Sequence, residues 1–370
     1  MENPLNKEAY SKRKVKSEHL IRGEFFRDQT AIIHSMPFRR LKNKTQVFFA
    51  PENDHVCTRI EHVLHVATIS ATICKGLNRY GCKLNTEMAY AIGLGHDIGH
   101  APFGHAGETA LNKKLNGDFE FMHEVNGLRI VDKLSNGGNG LNLTYGVRDG
   151  IINHNGETLQ QSIKPSETIN ILESIRDRKS IASSYEGCIT RFADKISYLG
   201  RDIEDALIAK FILISDLPNK IREEIGSTNG EIIDKLVIDV IKSSKETDEI
   251  KFSDEMFEKI KILQHFNYER IYKNLIILNY REKCENILGE LFDYIIDIYT
   301  KFGMDYEKYK ERDLELDKKF GVYLNTFHNV YIKEKSDPKR IACDYIAGMT
   351  DGFALNSYKQ IKIPKAIKFK

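Results

Sequence analysis

The chain has 370 residues, enough for one large domain or two fused lobes. Hydrophobic residues make up 41% and charged residues 29%, which sets aside disordered, collagen-like and disulfide-scaffold classes. Lys and Arg number 55 against 53 Asp and Glu, a formal charge of +2, far from the strongly basic balance of a dedicated duplex-DNA binder. No uncharged stretch approaches the ~18 residues of a membrane span, and the first residues carry no apolar run, so a cytoplasmic chain with no membrane partner is expected. Cysteines at 57, 74, 82, 188, 284 and 343 form no C-x-x-C pair. They are expected to be reduced and buried rather than zinc ligands.

Eight prolines in the whole chain and long stretches of helical apolar spacing predict a mostly α-helical protein. Ile60, Val63, Leu64, Ala67, Ala71, Cys74 and Leu77 form one stripe of period near 3.6. Thr86 is expected to cap a second helix ending around Ile98 and Gly99, ahead of Pro102. Residues 107–115 and 122–134 read as further helices, with a flexible turn at Asn136–Gly140, and Thr144 should cap another helix that Gly156 stops. From Ile189 to Lys210 one face is apolar, while Asp194, Tyr198, Arg201, Asp202 and Asp205 share the other. Beyond Pro218 the spacing predicts helices over 231–241, 254–278 and 284–302, forming a second lobe without a catalytic signature. Lys alternates with Ile or Phe over residues 361–370, which suggests a lysine-guarded edge strand.

Gly95 to Glu108 packs His96, Asp97, His100, His105 and Glu108 into fourteen residues, a density that core packing does not explain. The vicinal His96 and Asp97 offer one imidazole nitrogen and one carboxylate oxygen, a set suited to Mn, Fe, Co, Ni, Zn or Mg. Two ligands cannot close a site, so other helices must supply the rest. Candidates are His62, with His65 one turn later as its competitor, and Asp194. His105, beyond the Pro102 loop, is placed to move a proton, and Glu108 three residues on could hold its tautomer.

These residues resemble a known family. His62, His96-Asp97 and Asp194 are similar to the H…HD…D metal set of the HD-domain superfamily. The segments Phe38–Phe48, Thr58–Ala67, Gly95–Glu108, His123–Val131, Gly140–Thr144, Phe192–Asp205 and Asp344–Asp351 look like its bacterial deoxynucleoside triphosphate triphosphohydrolase branch, in family order. The chain departs from that pattern at Cys57, Glu61, Val63 and Gly352. The resemblance implies an N-terminal extension over 1–24, an HD core over 25–215, and a C-terminal helical lobe over 216–370 that completes the substrate pocket and oligomer contacts. It also implies one divalent metal on His62, His96, Asp97 and Asp194, with Mg possibly accompanying the substrate. The reaction implied is dNTP and water giving deoxynucleoside and inorganic tripolyphosphate, with dGTP among the substrates.

By the same resemblance, His123 joins His105 and Glu108 in the chemistry, and Arg40, Arg59, Lys195 and Tyr198 contact phosphates. Gln46, Asp202 and Tyr272 approach the base and sugar. A homo-oligomer and a nucleotide or single-stranded DNA effector are also implied. Two other readings stand beside this one. The first is a nucleotide- or single-stranded nucleic-acid-binding HD protein, favoured by eleven Lys or Arg against five acids in residues 1–45. The second is an HD phosphodiesterase or nuclease, which would release a nucleoside monophosphate.

Overall fold

The computed structural model describes residues 1–16, 21–47, 56–155 and 158–364. Eighteen α-helices, a few short 3-10 and π turns and one two-stranded antiparallel ribbon, Ser162–Ile163 against Ile250–Lys251, make up the regular structure of the described residues. The mostly α-helical expectation is met. No helix among them is long and apolar enough to cross a membrane, and all six cysteines are buried thiols.

Three helices place the chemistry. Arg59–Asn78 begins with a reciprocal cap, in which the Thr58 N–H donates to Glu61 Oε2 at 2.7 Å and orphan donors at the helix start are satisfied. Thr86–Gly95 packs along it. Its cap is Asn85, whose Oδ1 accepts from the Met88 N–H, rather than Thr86, and it stops at Gly95 instead of running to Ile98. Tyr185–Ile208 starts at Ser184, whose Oγ accepts from the Gly187 N–H. This helix buries Ile189, Phe192, Ala193, Ile196, Leu199 and Ile203, each large aliphatic side chain contributing roughly 1.5–3 kcal/mol of burial. Its other face carries Asp194, Tyr198 and Asp202 to a cavity.

Two apolar cores flank this frame, and both run across residue 216. One joins Leu41, Leu94, Leu111 and Ile151 to Leu288, Phe292, Phe320 and Ile346. The other joins Val66, Ile73 and Ile196 to Leu236, Val240 and Ile260. The division of the chain at 216 is thus kept as a proposal about sequence organisation. The expected 254–278 helix is two elements. Asp254–Asn267 passes into a π-helical turn, Tyr268–Tyr272, and Asn274 caps a new helix, Leu275–Phe302, by accepting from the Ile276 N–H. The predicted gap before Cys284 is continuous helix.

The expected edge strand does not form where it is described, because Asp351–Lys362 is a helix; residues 365–370 lie outside the described residues. Gly156 also lies outside them, and the helix it was expected to stop, Tyr145–Ile152, ends earlier. The N-terminal segment is docked on the core, with Asn3 Nδ2 donating to Glu186 and Tyr10 Oη to the Ser183 carbonyl. Part of its basic excess is neutralised internally, since Arg13 pairs with Glu24 and Asp28 and Lys14 with Asp132 and Glu173.

Candidate metal centre and active-site cavity

His62 and His96 meet because their helices approach closely. A Cβ on Gly93 would lie 2.5 Å from Ala67 Cα, so any larger residue would push the helices apart. The Nε2 atoms of the two imidazoles then stand 3.4 Å apart. Asp194 Oδ1 lies 3.0 Å from His62 Nε2 and 3.8 Å from His96 Nε2. Asp97 brings Oδ2 to 3.7 Å from His62 Nε2 and Oδ1 to 3.6 Å from His96 Nε2. His96 Nδ1 faces the Gly93 carbonyl at 2.7 Å, a contact that requires the proton on Nδ1 and turns the Nε2 lone pair inward. His62 Nδ1 lies 3.3 Å from Ser197 Oγ, a hydroxyl that can serve either tautomer. The carbonyl contact of His96 fixes the tautomer of that ligand.

Burial pushes His96 down to about 4 despite the nearby carboxylates, so it is neutral at physiological pH. Burial also opposes ionisation of Asp97 and Asp194, but Arg59 holds Asp97, and His62 with His96 holds Asp194, well below the carboxylate range. Two imidazoles, one with its lone pair turned inward, and two carboxylates, with Arg59 as the one guanidinium bonded to them among the described residues, make a donor set that fits a divalent cation.

A cavity of about 580 Å³ opens beside this group. His62, Asp97, Asp194, His100, His105 and His123 line one side, and Gln46, Arg59, Tyr198, Asp202, Asn267 and Tyr272 also face it. Buried polar atoms without hydrogen-bond partners include Gln46 Oε1, Arg59 Nε, His100 Nδ1, Asp202 Oδ1 and Asn267 Oδ1. Orphaned polar atoms are uncommon in folded proteins, and five around one cavity mark a surface built for a polar ligand. Asp202 is pushed up to about 7 by burial and accepts a hydrogen bond from Tyr272 Oη.

Behind the metal group lies a second cluster. The His123 ring stacks on His100 at 3.8 Å. His123 Nδ1 donates to Glu108 Oε2 at 2.8 Å, and its Nε2 faces His154 Nε2 at 3.2 Å. His154 Nδ1 is tied to the Ile151 carbonyl, so its Nε2 is an acceptor and His123 donates on both sides. Burial disfavours that cation, but Glu124 and then Glu108 outweigh it and raise His123 to about 9. Arg178 closes the cluster, donating to Glu108 at 2.5 Å and to Glu124 at 2.8 Å.

A model of the HD domain matches residues 59–199, and one described as a phosphohydrolase-associated domain matches residues 250–360. A protein of Caldanaerobacter subterraneus subsp. tengcongensis is 38% identical over 93% of this chain and 86% of its own length. Relatives from Desulfatibacillum aliphaticivorans and Clostridium tetani are 36% and 34% identical over 93% and 94% of this chain, and 89% and 88% of theirs. All three are named deoxyguanosinetriphosphate triphosphohydrolase-like protein. The chain belongs to this HD-domain family.

Within that family frame, the expected metal residues His62, His96, Asp97 and Asp194 converge, and His62 rather than His65 reaches the group. The expected neighbours His105 and Glu108 stand together with His123, their ligand atoms within 4.8 Å of one another. Glu108 bonds His123 and Arg178, because the helix His105–Leu115 turns its Glu108 face toward the His123 helix, while His105 is exposed to the cavity. Lys195 is buried, with its ammonium 5.0 Å from the Tyr198 ring centroid, and does not line the cavity. Neither does Arg40, whose guanidinium lies beside Gly348 and Tyr323.

Lys44, in the basic run 39–44, is buried and donates to the Ala347 and His100 carbonyls. The His100 loop is further pinned by Asp351, which accepts from the Phe103 and Thr45 N–H groups at 2.8 and 2.7 Å. That pin holds Phe103 at φ 62°, a conformation bulky residues rarely adopt. Sequence reasoning assigned no role to His100, Glu124, His154 or Arg178. His100 stood inside the densest motif and could have been named. The others come from separate segments, and only the fold gathers them.

Proposed function

We propose that this protein is a metal-dependent triphosphohydrolase converting dNTP and water to deoxynucleoside and inorganic tripolyphosphate, with dGTP among its substrates. The observation that carries the reading is that His62, Asp97 and Asp194, gathered around His96, open into one cavity with the His105 and His123 imidazoles and the unpaired polar atoms of Gln46 and Asp202. The names of the relatives support it.

A divalent ion held by these four residues would neutralise phosphoryl oxygen charge and lower the pKa of a bound water. The chain's own groups do the rest. The new bond joins water oxygen to the α-phosphorus, and the bond to the 5′ oxygen breaks. His105, exposed in the cavity, is placed to give that leaving oxygen its proton. His123, kept protonated by Glu108 and Glu124, adds positive charge behind the phosphates. Arg59 supplies a guanidinium at the entry side, with Lys195 and Arg40 contributing charge from outside the lining. Tyr198, Asp202, Tyr272 and Gln46 enclose the sugar, where an added 2′-OH would have to displace packed atoms. Assembly as a homo-oligomer, response to a nucleotide or single-stranded DNA effector, and a cytoplasmic setting belong to the same proposal. Incubation with each dNTP followed by ion-exchange separation of products tests it: tripolyphosphate and deoxynucleoside are expected, and nucleoside monophosphate would indicate a phosphodiesterase instead.

A further inference from the structure

We propose that Arg281 is a base-reading residue, placed to donate both arms of its guanidinium to a guanine edge and so to favour dGTP over dATP. This rests on the triphosphohydrolase reading of the cavity.

Arg281 lines the cavity and makes no hydrogen bond or ion pair with any other described residue. By contrast, Arg59 is already committed, with Nη1 on Asp97 Oδ2 at 2.5 Å and Nη2 on the Thr45 carbonyl at 3.1 Å. The usual neutralising partner for an arginine on a helix is an acid four residues on, and Glu285 occupies that position. Glu285 is drawn instead to Lys113 on the facing helix at 2.5 Å. The guanidinium therefore has no partner among the described residues at a cavity wall, which a ligand with paired acceptors would complete.

The surroundings select a base over a phosphate. Arg281 lies close enough to Tyr272 for its charge to bear on that phenol, and Tyr272 bonds Asp202 on the sugar side. Its chain neighbour Tyr280 packs on Phe103 at 6.3 Å, and Tyr268, Tyr272 and Tyr280 all line the same cavity. Phenol rings offer stacking faces for a nucleobase. Glu285 also lines this wall. A polyphosphate there would be repelled by its carboxylate, whereas a neutral base would not, and guanine N1–H or N2–H could donate to it. Arginine bonds guanine through O6 and N7 together, while adenine presents its N6 amino donor against the guanidinium donors.

The test compares dGTP and dATP as competing substrates, and as ligands by calorimetry, for the unmodified protein, Arg281→Gln and Arg281→Lys. The unmodified protein should prefer dGTP roughly 5- to 150-fold. Arg281→Gln should bring that ratio near one, chiefly by raising KM for dGTP, with kcat nearly unchanged. Arg281→Lys, which keeps the charge but not the fork, should lose most of the preference too. No dGTP preference in the unmodified protein, or a preference surviving in either variant, overturns the assignment. Release of nucleoside monophosphate, or no hydrolysis, would instead remove the triphosphohydrolase reading, and the calorimetric ratio would still decide the role of Arg281.

Discussion

The metal group and the imidazole cluster behind it are built from the same residue types, yet they differ in charge. Around His62 and His96, the His96 imidazole turns a lone pair inward, and the two carboxylates, Asp97 and Asp194, meet one guanidinium among the described residues, Arg59. Around His123 the two carboxylates, Glu108 and Glu124, are matched by Arg178 and the His123 imidazolium. The first group is short of positive charge and the second is complete. His123, Glu124 and His154 could by distance alone hold an ion. Charge balance argues against it, since a cation would face a guanidinium and an imidazolium.

The largest expected effect lies in the first group. Asp194→Ala or His96→Ala should remove bound metal and lower turnover about 10³-fold or more, since several kcal/mol of transition-state stabilisation go with the ion. Elemental analysis alongside the assay checks this. Next comes His105→Ala, expected to keep its metal while losing on the order of 10² to 10⁴ in rate. Near-normal turnover would move the proton role to His123.

The second group is probed by pH. His123, raised above its ordinary value, stays protonated through neutrality. Stabilisation from its ion pairs is complete below about 6.5 and is lost as pH rises through about 9. Glu124→Gln removes the largest influence raising His123, so the alkaline limbs of both kcat and thermal stability should move toward neutrality while metal content stays at one per chain. Tyr198→Phe or Gln46→Ala should reduce the dGTP to GTP preference by roughly 1–3 kcal/mol, read from competing-substrate assays. His65→Ala, on the same helix as His62 but outside the metal group, should change turnover by less than about twofold.

The contrast also marks what sequence could reveal. The proposed metal residues were legible because His96 and Asp97 are adjacent and the family resemblance singled out His62 and Asp194; periodicity alone left His62 beside His65 and Asp194 among the other acids of its helix face. The closed cluster was not. Glu108 was assigned to His105 by helical spacing and does stand near it, but the tertiary approach of the His123 helix and the arrival of Arg178 from a loop without periodicity give it two further partners. The helix frame was anticipated in most places. The break at Tyr268–Tyr272 was missed because a π-turn leaves apolar spacing nearly intact, and Ile361 and Lys362 belong to the helix begun at the Thr350 cap, whose Oγ accepts from the Phe353 N–H, rather than to a strand.

The central claim is that one of these clusters takes a cation and the other needs none. Anomalous diffraction from crystals of the metal-loaded protein, recorded across the absorption edge of the bound element, tests it directly. The account predicts a single peak about 2.0–2.3 Å from ligand atoms of His62, His96, Asp97 and Asp194, and none between His123, Glu124 and His154. A peak in the second cluster, or an empty first group in catalytically active crystals, would contradict it.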